Sequence, residues 1–529
     1  MRAPLGPVPA LMLPAAACGG DALTASTAKP AIQGTRQGSE LAEPRAIRAL
    51  LGPLPALLLL AAACASDGLT ASAARPAIAD LAVGANSYNT LSVLVTFRAT
   101  GADSARVLYS SAAEPEHATP WQPVRGDLQR IAVLGLLPGT TYALRAVVVG
   151  PGGTTTSATV AGTSGAIPTA IQAMELTVTG RPSPGYTLIV PVRFSTDSTT
   201  GFAFAFDDAG ALRWYREFAG GWAVEAKQQP SGNFTVYVGR SYGWAPSYGG
   251  YVEVAPSGEE VHRFHVTAPS YTDPHEMLLA FRDTGIAAVH LIGYDIRPVD
   301  LSAFGGSSSA PLAMHFIQRE SAAGAVEFVW NAGDHYSPAD WPAPAVQALA
   351  ARDLVHPSSL ELDRDGNYIV SLQAMDEIAK IDAGTGAFMW RFGGRHNQLA
   401  IENDPLGGFQ GQHSVRVLED GHLLLLDNRV RSTPADARAV EYELDTQAML
   451  ARLVWQYQPS PPVVSPIMGS VQRLANGNTV VGFGFAGRVD EVDRAGAVVA
   501  QETLVSSTGG SIQFYRALRV PSLYAYERP

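Results

Sequence analysis

Cysteine and charge are scarce in this 529-residue chain. It has only two cysteines, Cys18 and Cys64, and 16% of its residues are charged. Both cysteines lie near the N-terminus, so the rest of the chain can hold neither a disulfide nor a cysteine metal site. Acidic residues outnumber basic ones by 48 to 37, for a net charge of −11. That balance argues against a nucleic-acid partner, which would need a basic face, so we predict none.

The apolar runs near the N-terminus are too short to span a membrane as a mature helix. The segment from Leu5 is repeated from Leu51, and in each copy an apolar run is followed by small residues and a cysteine. Arg45 and Arg48 precede the second run. A basic start, a short apolar run and small residues are typical of a secretory signal.

A cysteine after the small residues makes the second copy similar to a bacterial lipoprotein signal, in which that cysteine becomes the lipidated first residue. We therefore predict a duplicated targeting segment at 1–64, with lipidation at Cys64. The protein would then be exported, to the periplasm or the cell surface, and anchored to the membrane by the N-terminal lipid. An ordinary signal cleaved near Ala63 or Ala71, without lipid, is the alternative.

Glycine and proline are abundant instead, with 52 and 37 residues. Between residues 76 and 165 they separate short β-forming stretches, a spacing typical of an all-β sandwich. An L-x-P-x-T-x-Y pattern there resembles the tyrosine corner of fibronectin type III domains. The pattern consists of Leu136, Pro138, Thr140 and Tyr142. We predict a fibronectin type III-like sandwich at 76–165, after a linker at 65–75, which acts as a spacer or binds a ligand.

Residues 182–512 contain a longer repeat. Each unit joins an apolar hairpin with a tight turn, such as the one at Gly366, to a second turn and an apolar strand that often ends in tryptophan, such as Trp390. Six such pairs fit the segment. Two hairpins make a four-stranded sheet, and such sheets repeated around an axis form a β-propeller. We predict an all-β chain with a six-bladed propeller, between a linker at 166–181 and a C-terminal tail at 513–529; a solenoid is the alternative.

Three histidines occupy matching places in three of these units. His275, His356 and His413 stand next to short apolar strands, at 10, 10 and 8 residues before the turn glycine. Even offsets give side chains the same facing along a strand. The first strand of each blade lines the channel of a propeller, and these strands open the third, fourth and fifth predicted blades. We therefore expect the three imidazoles to converge at one end of the channel.

Two kinds of site could be built from three converging imidazoles. In a catalytic site one histidine is a nucleophile, because imidazole is largely neutral near pH 7, while the others donate hydrogen bonds or a proton. In a metal site the three histidines are ligands and one position stays open. Gln412, Glu276 and Asn428 would then supply further ligands or hold the histidines in place.

Five segments resemble the bacterial arylsulfate sulfotransferases and the broader arylsulfotransferase-like propellers. They are PGYTLIVPV, DPHEMLL, VHPSSLELDRDGNYIVSLQAMDEIAKIDAGTGAFMWRFGG, GQHSVRVLEDGHLLLLDN and MGSVQRLANGNTVVGFG. The resemblance implies a six-bladed propeller after a small β-sandwich. It also implies transfer of a sulfuryl group from an aryl sulfate to a phenol through a sulfohistidine, without a nucleotide cofactor. By motif His413 matches the nucleophile, and His356 and His275 match the histidines around the sulfate.

Two positions depart from the pattern of that family. Ser358 stands where the family often has asparagine, and Gln373 stands where it has arginine on the following strand. An arginine would give sulfate oxygens a charge-assisted fork, whereas glutamine offers a neutral amide. Loss of a comparable oxyanion donor costs about 3 to 4 kcal/mol of transition-state stabilisation. By motif, the arginines that could compensate are Arg416, Arg429 and Arg473.

These observations predict a sulfotransferase-like enzyme that acts on a small aryl sulfate and a phenol. The predicted catalytic residues are His413, His356 and His275. The predicted substrate contacts are Gln373, Ser358 and Asn428. We expect neither a cofactor nor a metal. A non-catalytic propeller lipoprotein that binds a ligand or a partner is the alternative.

Overall fold

A computed structural model describes residues 74–192, 200–239, 249–282 and 285–524. These residues form strands, one α-helix at Pro344–Ala350 and short 3-10 helices, so the all-β prediction is confirmed. The 3-10 helices are Thr169–Ile171, Ser302–Phe304, Ala332–Asp334, Pro338–Asp340, Gln373–Met375 and Gly484–Ala486. In the part of the chain that the structure describes, no helix has the length and apolar character needed to cross a membrane. The predicted targeting segment, including Cys64, lies outside the described residues.

The first β region consists of two antiparallel sheets around one core. The first sheet contains Ala77–Ala85, Val93–Thr100 and Leu128–Val133. The second contains Ser104–Ser110, His117–Ala118, Gln122–Pro123, Thr141–Gly150, Gly153–Thr156 and Val160–Thr163. Phe97 from one sheet and Leu144 from the other share a buried cluster. The hydroxyl of Tyr142 accepts a hydrogen bond from the N–H of Leu137 (2.9 Å), which is the contact expected of a tyrosine corner.

The remaining strands form six sheets, which we number 1 to 6 along the chain. For each sheet the strands are given in their hydrogen-bonded order, and the strand given first is called the first strand of that sheet. Sheet 1 contains Phe514–Val520, Tyr186–Pro191, Thr200–Asp207 and Leu212–Ala219. Sheet 2 contains Trp222–Gln228, Phe234–Gly239, Gly250–Val254 and Glu260–Phe264. Sheet 3 contains Tyr271–Arg282, Gly285–Val299, Ala310–Ser321 and Val326–Asn331.

The last three sheets repeat this hairpin order. Sheet 4 contains Pro357–Leu362, Tyr368–Leu372, Glu377–Ile381 and Phe388–Gly393. Sheet 5 contains His413–Val417, Leu423–Asp427, Arg438–Asp445, Leu450–Tyr457 and the short parallel strand Ala400–Glu402. Sheet 6 contains Ser470–Arg473, Thr479–Phe483, Arg488–Val492, Val498–Ser506 and Met174–Gly180.

Tight turns close the first hairpins of these sheets where the sequence predicted them. In sheet 4 the N–H of Gly366 donates to the carbonyl oxygen of Asp363 at 2.9 Å, and Gly366 has a φ of 80°. In sheet 5 Gly421 makes the same contact with Leu418 at 2.9 Å and has a φ of 89°. Glycine adopts this left-handed conformation without the clash that a Cβ would cause.

Neighbouring sheets pack through their apolar faces. The first strands of consecutive sheets contact one another, and the first strand of sheet 6 contacts that of sheet 1. Between sheets 1 and 2, the ring centroids of Trp214 and Phe234 lie 4.7 Å apart in a shared hydrophobic cluster. Between sheets 6 and 1, Val480 and Val489 share a cluster with Phe514. Apolar packing therefore also joins the last sheet to the first.

Two predicted boundaries are wrong. The predicted tail at 513–529 contains Phe514–Val520, which pairs with Tyr186–Pro191 as the first strand of sheet 1. The predicted linker at 166–181 contains Met174–Gly180, which pairs with the outer strand of sheet 6. Both pairings join strands that are more than 300 residues apart in the chain, and no local pattern shows them. They cover sheet edges that would otherwise expose unpaired backbone groups.

Candidate active site

The three predicted histidines lie together in the structure. His275 lies in the first strand of sheet 3, His356 directly precedes the first strand of sheet 4, and His413 opens the first strand of sheet 5. The ring centroids of His275 and His356 are 4.6 Å apart, and those of His356 and His413 are 6.4 Å apart. The expected convergence of the imidazoles is therefore observed, with His356 between the other two.

The backbone around this cluster is strained. Among the described residues, eight non-glycine residues have a positive φ. Five of them lie at the cluster or beside its neighbours, namely His356, Asp376, Ser414, Arg429 and Met468. Such conformations cost about 1 to 3 kcal/mol each and concentrate at functional sites, where the surrounding structure holds them in place.

Hydrogen bonds determine which nitrogen of His413 carries the proton. Its Nδ1 lies 2.9 Å from Oδ1 of Asn428 and 3.1 Å from the carbonyl oxygen of Gly411. The amide of Asn428 is oriented by its own donations to the carbonyl oxygens of Ser465 (2.7 Å) and Met468 (2.9 Å). Both partners of Nδ1 are thus acceptors, so Nδ1 carries the hydrogen and Nε2 carries the lone pair. The N–H of Met468 donates to that Nε2 at 3.3 Å.

Burial keeps the His413 imidazole neutral. Burial first, and then the charges of His356 and His275, lower the pKa of His413 to about 3. A neutral imidazole with a defined lone pair on Nε2 has the form that a nitrogen nucleophile requires.

The other two histidines are each held by a carboxylate. Nδ1 of His275 lies 2.6 Å from Oδ1 of Asp273, and Nδ1 of His356 lies 2.8 Å from Oδ2 of Asp353. Burial lowers the pKa of His275, although Asp273 opposes that shift. Burial also acts against the charge of His356, but Asp353 and, to a smaller extent, Asp273 together outweigh it, so the pKa of His356 is raised.

A buried network of charged side chains adjoins the cluster on the first strands of the sheets. Its members are Glu225, Lys227, Glu276, Glu361, Arg416 and Arg516. Nη2 of Arg516 lies 2.8 Å from Glu276 and donates to the carbonyl oxygen of His275 at 3.4 Å. Glu276 pairs with Lys227, Arg416 and Arg516, which hold its pKa well below the usual range despite burial. Glu276 therefore neutralises cations rather than being available as a metal ligand.

The predicted substrate contacts differ in their surroundings. Gln373 donates its backbone N–H to the carbonyl oxygen of His356 (2.9 Å), and its side-chain amide packs beside Gly411, two residues before His413. Ser358 is buried, and its hydroxyl donates to the carbonyl oxygen of Gln412 (2.8 Å), which joins sheets 4 and 5. A substrate contact of Gln373 or Ser358 stays a prediction.

No arginine predicted to compensate for Gln373 is unpaired. Carboxylates contact all three of them, Arg416, Arg429 and Arg473. Arg431, which the sequence did not single out, pairs with Asp376. The same Asp376 carboxylate accepts the N–H of Gly411 at 2.7 Å, so Arg431 reaches the loop beside Gln373.

The potential metal ligands that lie close together are not the three predicted histidines. Among the described residues, the potential ligand atoms of Asp420, His422 and Glu441 lie within 4.8 Å of one another, and the three histidines do not form such a group. Arg473 forms an ion pair with Glu441, so this carboxylate already has a cationic partner. A metal site at the three histidines stays an untested alternative.

A comparison with protein families identifies the chain. The model of a family described as Arylsulfotransferase (ASST) matches residues 238–504. The match spans just over half of the chain and includes the three histidines with their carboxylate and amide partners. The chain belongs to the arylsulfotransferase family.

This arylsulfotransferase-family chain is similar to several solved structures, at low sequence identity. A protein of unknown function from Bacteroides caccae is 14% identical, with a TM-score of 0.39, over 64% of this chain and 100% of that one. A streptogramin B lyase is 10% identical, with a TM-score of 0.33, over 64% and 95% of the chains. A protein of unknown function from Bacteroides thetaiotaomicron is 12% identical, with a TM-score of 0.31, over 80% and 98%. TM-scores this low carry no argument about function. No curated protein sequence matches the chain.

The sequence interpretation missed several partners of the histidines. Asp273 and Asp353 stand two and three residues before His275 and His356, a spacing that local sequence could have revealed. Tyr515 had no such signal. Its hydroxyl lies 3.3 Å from the carbonyl oxygen of His275, and it belongs to the strand predicted to be a tail.

Proposed function

We propose that this arylsulfotransferase-family protein transfers a sulfuryl group from an aryl sulfate to a phenol through a sulfohistidine at His413. The observation that carries the proposal is the hydrogen bond between Nδ1 of His413 and Oδ1 of Asn428, which leaves the lone pair on Nε2. The buried imidazole stays neutral because its pKa lies near 3. His275 and His356 stand beside it as donors.

In the first half of the reaction, Nε2 of His413 attacks sulfur and the bond between sulfur and the aryl oxygen breaks. The phenolate that leaves takes a proton from a neighbouring donor. In the second half an acceptor phenol gives up its proton, its oxygen attacks sulfur, and the N–S bond breaks, which restores neutral His413. Neither half needs a nucleotide or a metal. Donors that meet the sulfuryl oxygens as charge shifts would lower both barriers.

We propose that four groups near His413 donate to the sulfuryl oxygens. They are the imidazoles of His275 and His356, the amide of Gln373 and the N–H of Met468. The N–H of Met468 donates to the lone pair of Nε2, so this hydrogen bond opens as the N–S bond forms, and the freed N–H is then close to the sulfuryl oxygens. This arrangement replaces the guanidinium of the family pattern with neutral and imidazole donors.

The assay that tests the proposal uses 4-nitrophenyl sulfate as donor and phenol as acceptor. We expect ping-pong kinetics, and we expect mass spectrometry of the protein with donor alone to find one sulfuryl group on His413. His413→Ala should lose both the modification and the transfer. His262→Asn is the matched control, since that imidazole is exposed and pairs with Glu253. No sulfohistidine with several activated donors would support a ligand-binding protein instead.

We also propose that sheets 1 to 6 are the blades of a six-bladed propeller and that the preceding sandwich is of the fibronectin type III class. Two observations support the propeller: the first strands contact one another in order, and a hydrophobic cluster joins sheet 6 to sheet 1. The tyrosine-corner hydrogen bond supports the class of the sandwich. An experimental structure whose first strands do not surround one axis would contradict the propeller.

Export and lipidation at Cys64 form a further part of the proposal, supported by the order of basic, apolar and small residues before that cysteine. Cys64→Ser should move the protein from the membrane fraction to the soluble fraction. Mass spectrometry of the wild-type N-terminus should find a diacylglyceryl group on Cys64. An unmodified N-terminus at a later residue would show that the signal is of the ordinary kind.

A further inference from the structure

The carboxylates behind His275 and His356 have different numbers of partners. Oδ2 of Asp353 lies 2.8 Å from Nδ1 of His356, and this imidazole is its only side-chain partner in the described part of the chain. Asp273 is shared: its Oδ1 lies 2.6 Å from Nδ1 of His275, and its Oδ2 lies 3.2 Å from Nε2 of His315. Asp353 thus contacts one imidazole, that of His356, whereas Asp273 contacts two, those of His275 and His315.

The second partner of Asp273 is itself buried. His315 lies in the third strand of sheet 3 with a side-chain exposure of 4%, and its Nδ1 has no hydrogen-bond partner in the described structure. Asp273 also accepts the backbone N–H of His275 at 2.9 Å. Because three N–H groups divide this one negative charge, Asp273 stabilises a charge on His275 less than Asp353 stabilises one on His356.

We propose that Asp353 is a positioning residue that keeps His356 as an imidazolium, the acid that protonates the leaving phenolate, whereas Asp273, shared with His315, leaves His275 a neutral donor. This inference rests on the proposed function of the same site. It assigns to His356 the positive charge that Gln373 does not supply.

The charged and titratable groups recorded around His356 in the described ranges are consistent with this assignment. Asp353 lies on its own loop, His275 and Asp273 on the first strand of sheet 3, and His413 on sheet 5. The two carboxylates favour the charged form of His356, and the pKa of His356 is raised overall. The pKa values of its two histidine neighbours are lowered, so those imidazoles stay neutral and repel the charge little.

The proton balance of the transfer follows. Nδ1–H of His356 stays hydrogen-bonded to Asp353, so Nε2–H is the group that gives up its proton. As the N–S bond forms at His413 and the S–O bond breaks, this proton moves to the phenolate oxygen. His356 is then neutral and takes the proton of the acceptor phenol in the second half. The imidazolium is restored without any further reactant.

The test compares Asp353→Asn with Asp273→Asn in the full-length protein. For Asp353→Asn we expect kcat/KM to fall about 100-fold with phenyl sulfate, a poor leaving group, and only a few-fold with 4-nitrophenyl sulfate, whose phenolate needs little protonation. The kcat/KM of the wild type for the donor should fall as pH rises through the pKa of His356. In Asp353→Asn this fall should begin at lower pH. Asp353→Glu should restore part of the difference between the two donors.

Matched variants separate an acid from a merely structural role. Asp273→Asn and His315→Gln alter the partner of His275, so they should slow both donors by similar factors and leave the pH of the fall unchanged. If Asp273→Asn, rather than Asp353→Asn, slows phenyl sulfate selectively, the assignment of the two histidines is overturned. Equal loss with both donors in Asp353→Asn would also overturn it.

An NMR titration distinguishes failure of this inference from failure of the proposed function. The ring nitrogens of ¹⁵N-labelled His356 report its pKa without any turnover. We expect His356 to titrate at higher pH than His275 in the wild type, and at clearly lower pH in Asp353→Asn. Unchanged titration of His356 in Asp353→Asn overturns the inference even where the transfer reaction is found. If His356 titrates as expected but the protein has no transfer activity, Asp353 keeps its role in favouring the charged form of His356. The role of His356 as the acid is then rejected.

Discussion

Oδ1 of Asn428 accepts a hydrogen bond from Nδ1 of His413 at 2.9 Å, and the same Asn428 donates to two backbone carbonyl oxygens. The two donations prevent the amide from turning over, so its oxygen always faces the imidazole. The relationship fixes both the tautomer and the direction of the His413 imidazole.

Asn428→Ala should therefore reduce kcat more than it changes KM for the donor. The imidazole would lose its orientation and its tautomer preference, and loss of such an orienting partner typically costs about 10- to 100-fold. Steady-state kinetics with 4-nitrophenyl sulfate measures the effect. Asn476→Ala is the control, since the exposed Asn476 lies in a turn, where its side chain contacts Ser183 and the N–H of Asn478. An Asn428→Ala enzyme with wild-type kcat would refute the orienting role.

Gln373→Arg should raise the rate of transfer. The amide of Gln373 packs beside Gly411 near the nucleophile, and a guanidinium there would meet the sulfuryl oxygens with charge-assisted hydrogen bonds. We expect a gain in kcat/KM of about tenfold for each 1.4 kcal/mol recovered. Gln447→Arg adds the same charge at an exposed position and should change nothing. Equal rates in Gln373→Arg and the wild type would show that a guanidinium is not what this site lacks.

The stability of the protein should depend on pH through His413. Its pKa is about 3 in the folded protein and near 6.5 in the unfolded chain. The unfolded state therefore binds more protons between these values, and the free energy of unfolding falls as pH drops through this window. Near pH 4.5 the lowered pKa of His413 reduces the free energy of unfolding by about 3 kcal/mol relative to neutral pH. Urea unfolding at neutral pH and near pH 4.5 should find a smaller acid-induced loss in His413→Gln than in the wild type, and an equal loss would contradict the low pKa.

Arg438→Met should destabilise the fold strongly. Arg438 is fully buried and pairs with Asp404 (2.9 Å) and Asp427 (3.0 Å), which are both buried as well. Removing the guanidinium leaves Asp404 without a cationic partner in the interior and Asp427 with only the longer pair to Arg429 (3.6 Å), which costs about 3 to 5 kcal/mol in the free energy of unfolding. Arg452→Met breaks the exposed pair with Glu402 and should cost less than about 1 kcal/mol. Urea unfolding of both variants measures the difference, and similar midpoints would contradict it.

The sequence by itself was enough to predict an all-β chain and the grouping of the three histidines. The reason is local: a tight turn with glycine, as at Gly366 and Gly421, sets the register of each hairpin, and residues at even offsets from that turn share a facing. His275, His356 and His413 carry that periodicity in the sequence. The D-x-H and D-x-x-H spacings that place Asp273 and Asp353 were also present in the sequence, but they gain meaning only once the imidazoles are known to face one another.

Only the tertiary structure decided how the last strand pairs and how Asp273 is shared between two histidines. Phe514–Val520 pairs with a strand that lies more than 300 residues earlier, and this pairing brings Tyr515 and Arg516 to the carbonyl oxygen of His275. The sharing of Asp273 between His275 and His315 likewise joins the first and third strands of sheet 3, and Asp273 and His315 are 42 residues apart in the chain. Such contacts depend on burial and on the packing of strands that are distant in sequence, and a local residue pattern encodes neither. Hydrophobic burial favours the packing of the sheets against one another, and that packing brings the three imidazoles, two of them with local carboxylate partners, into one cluster.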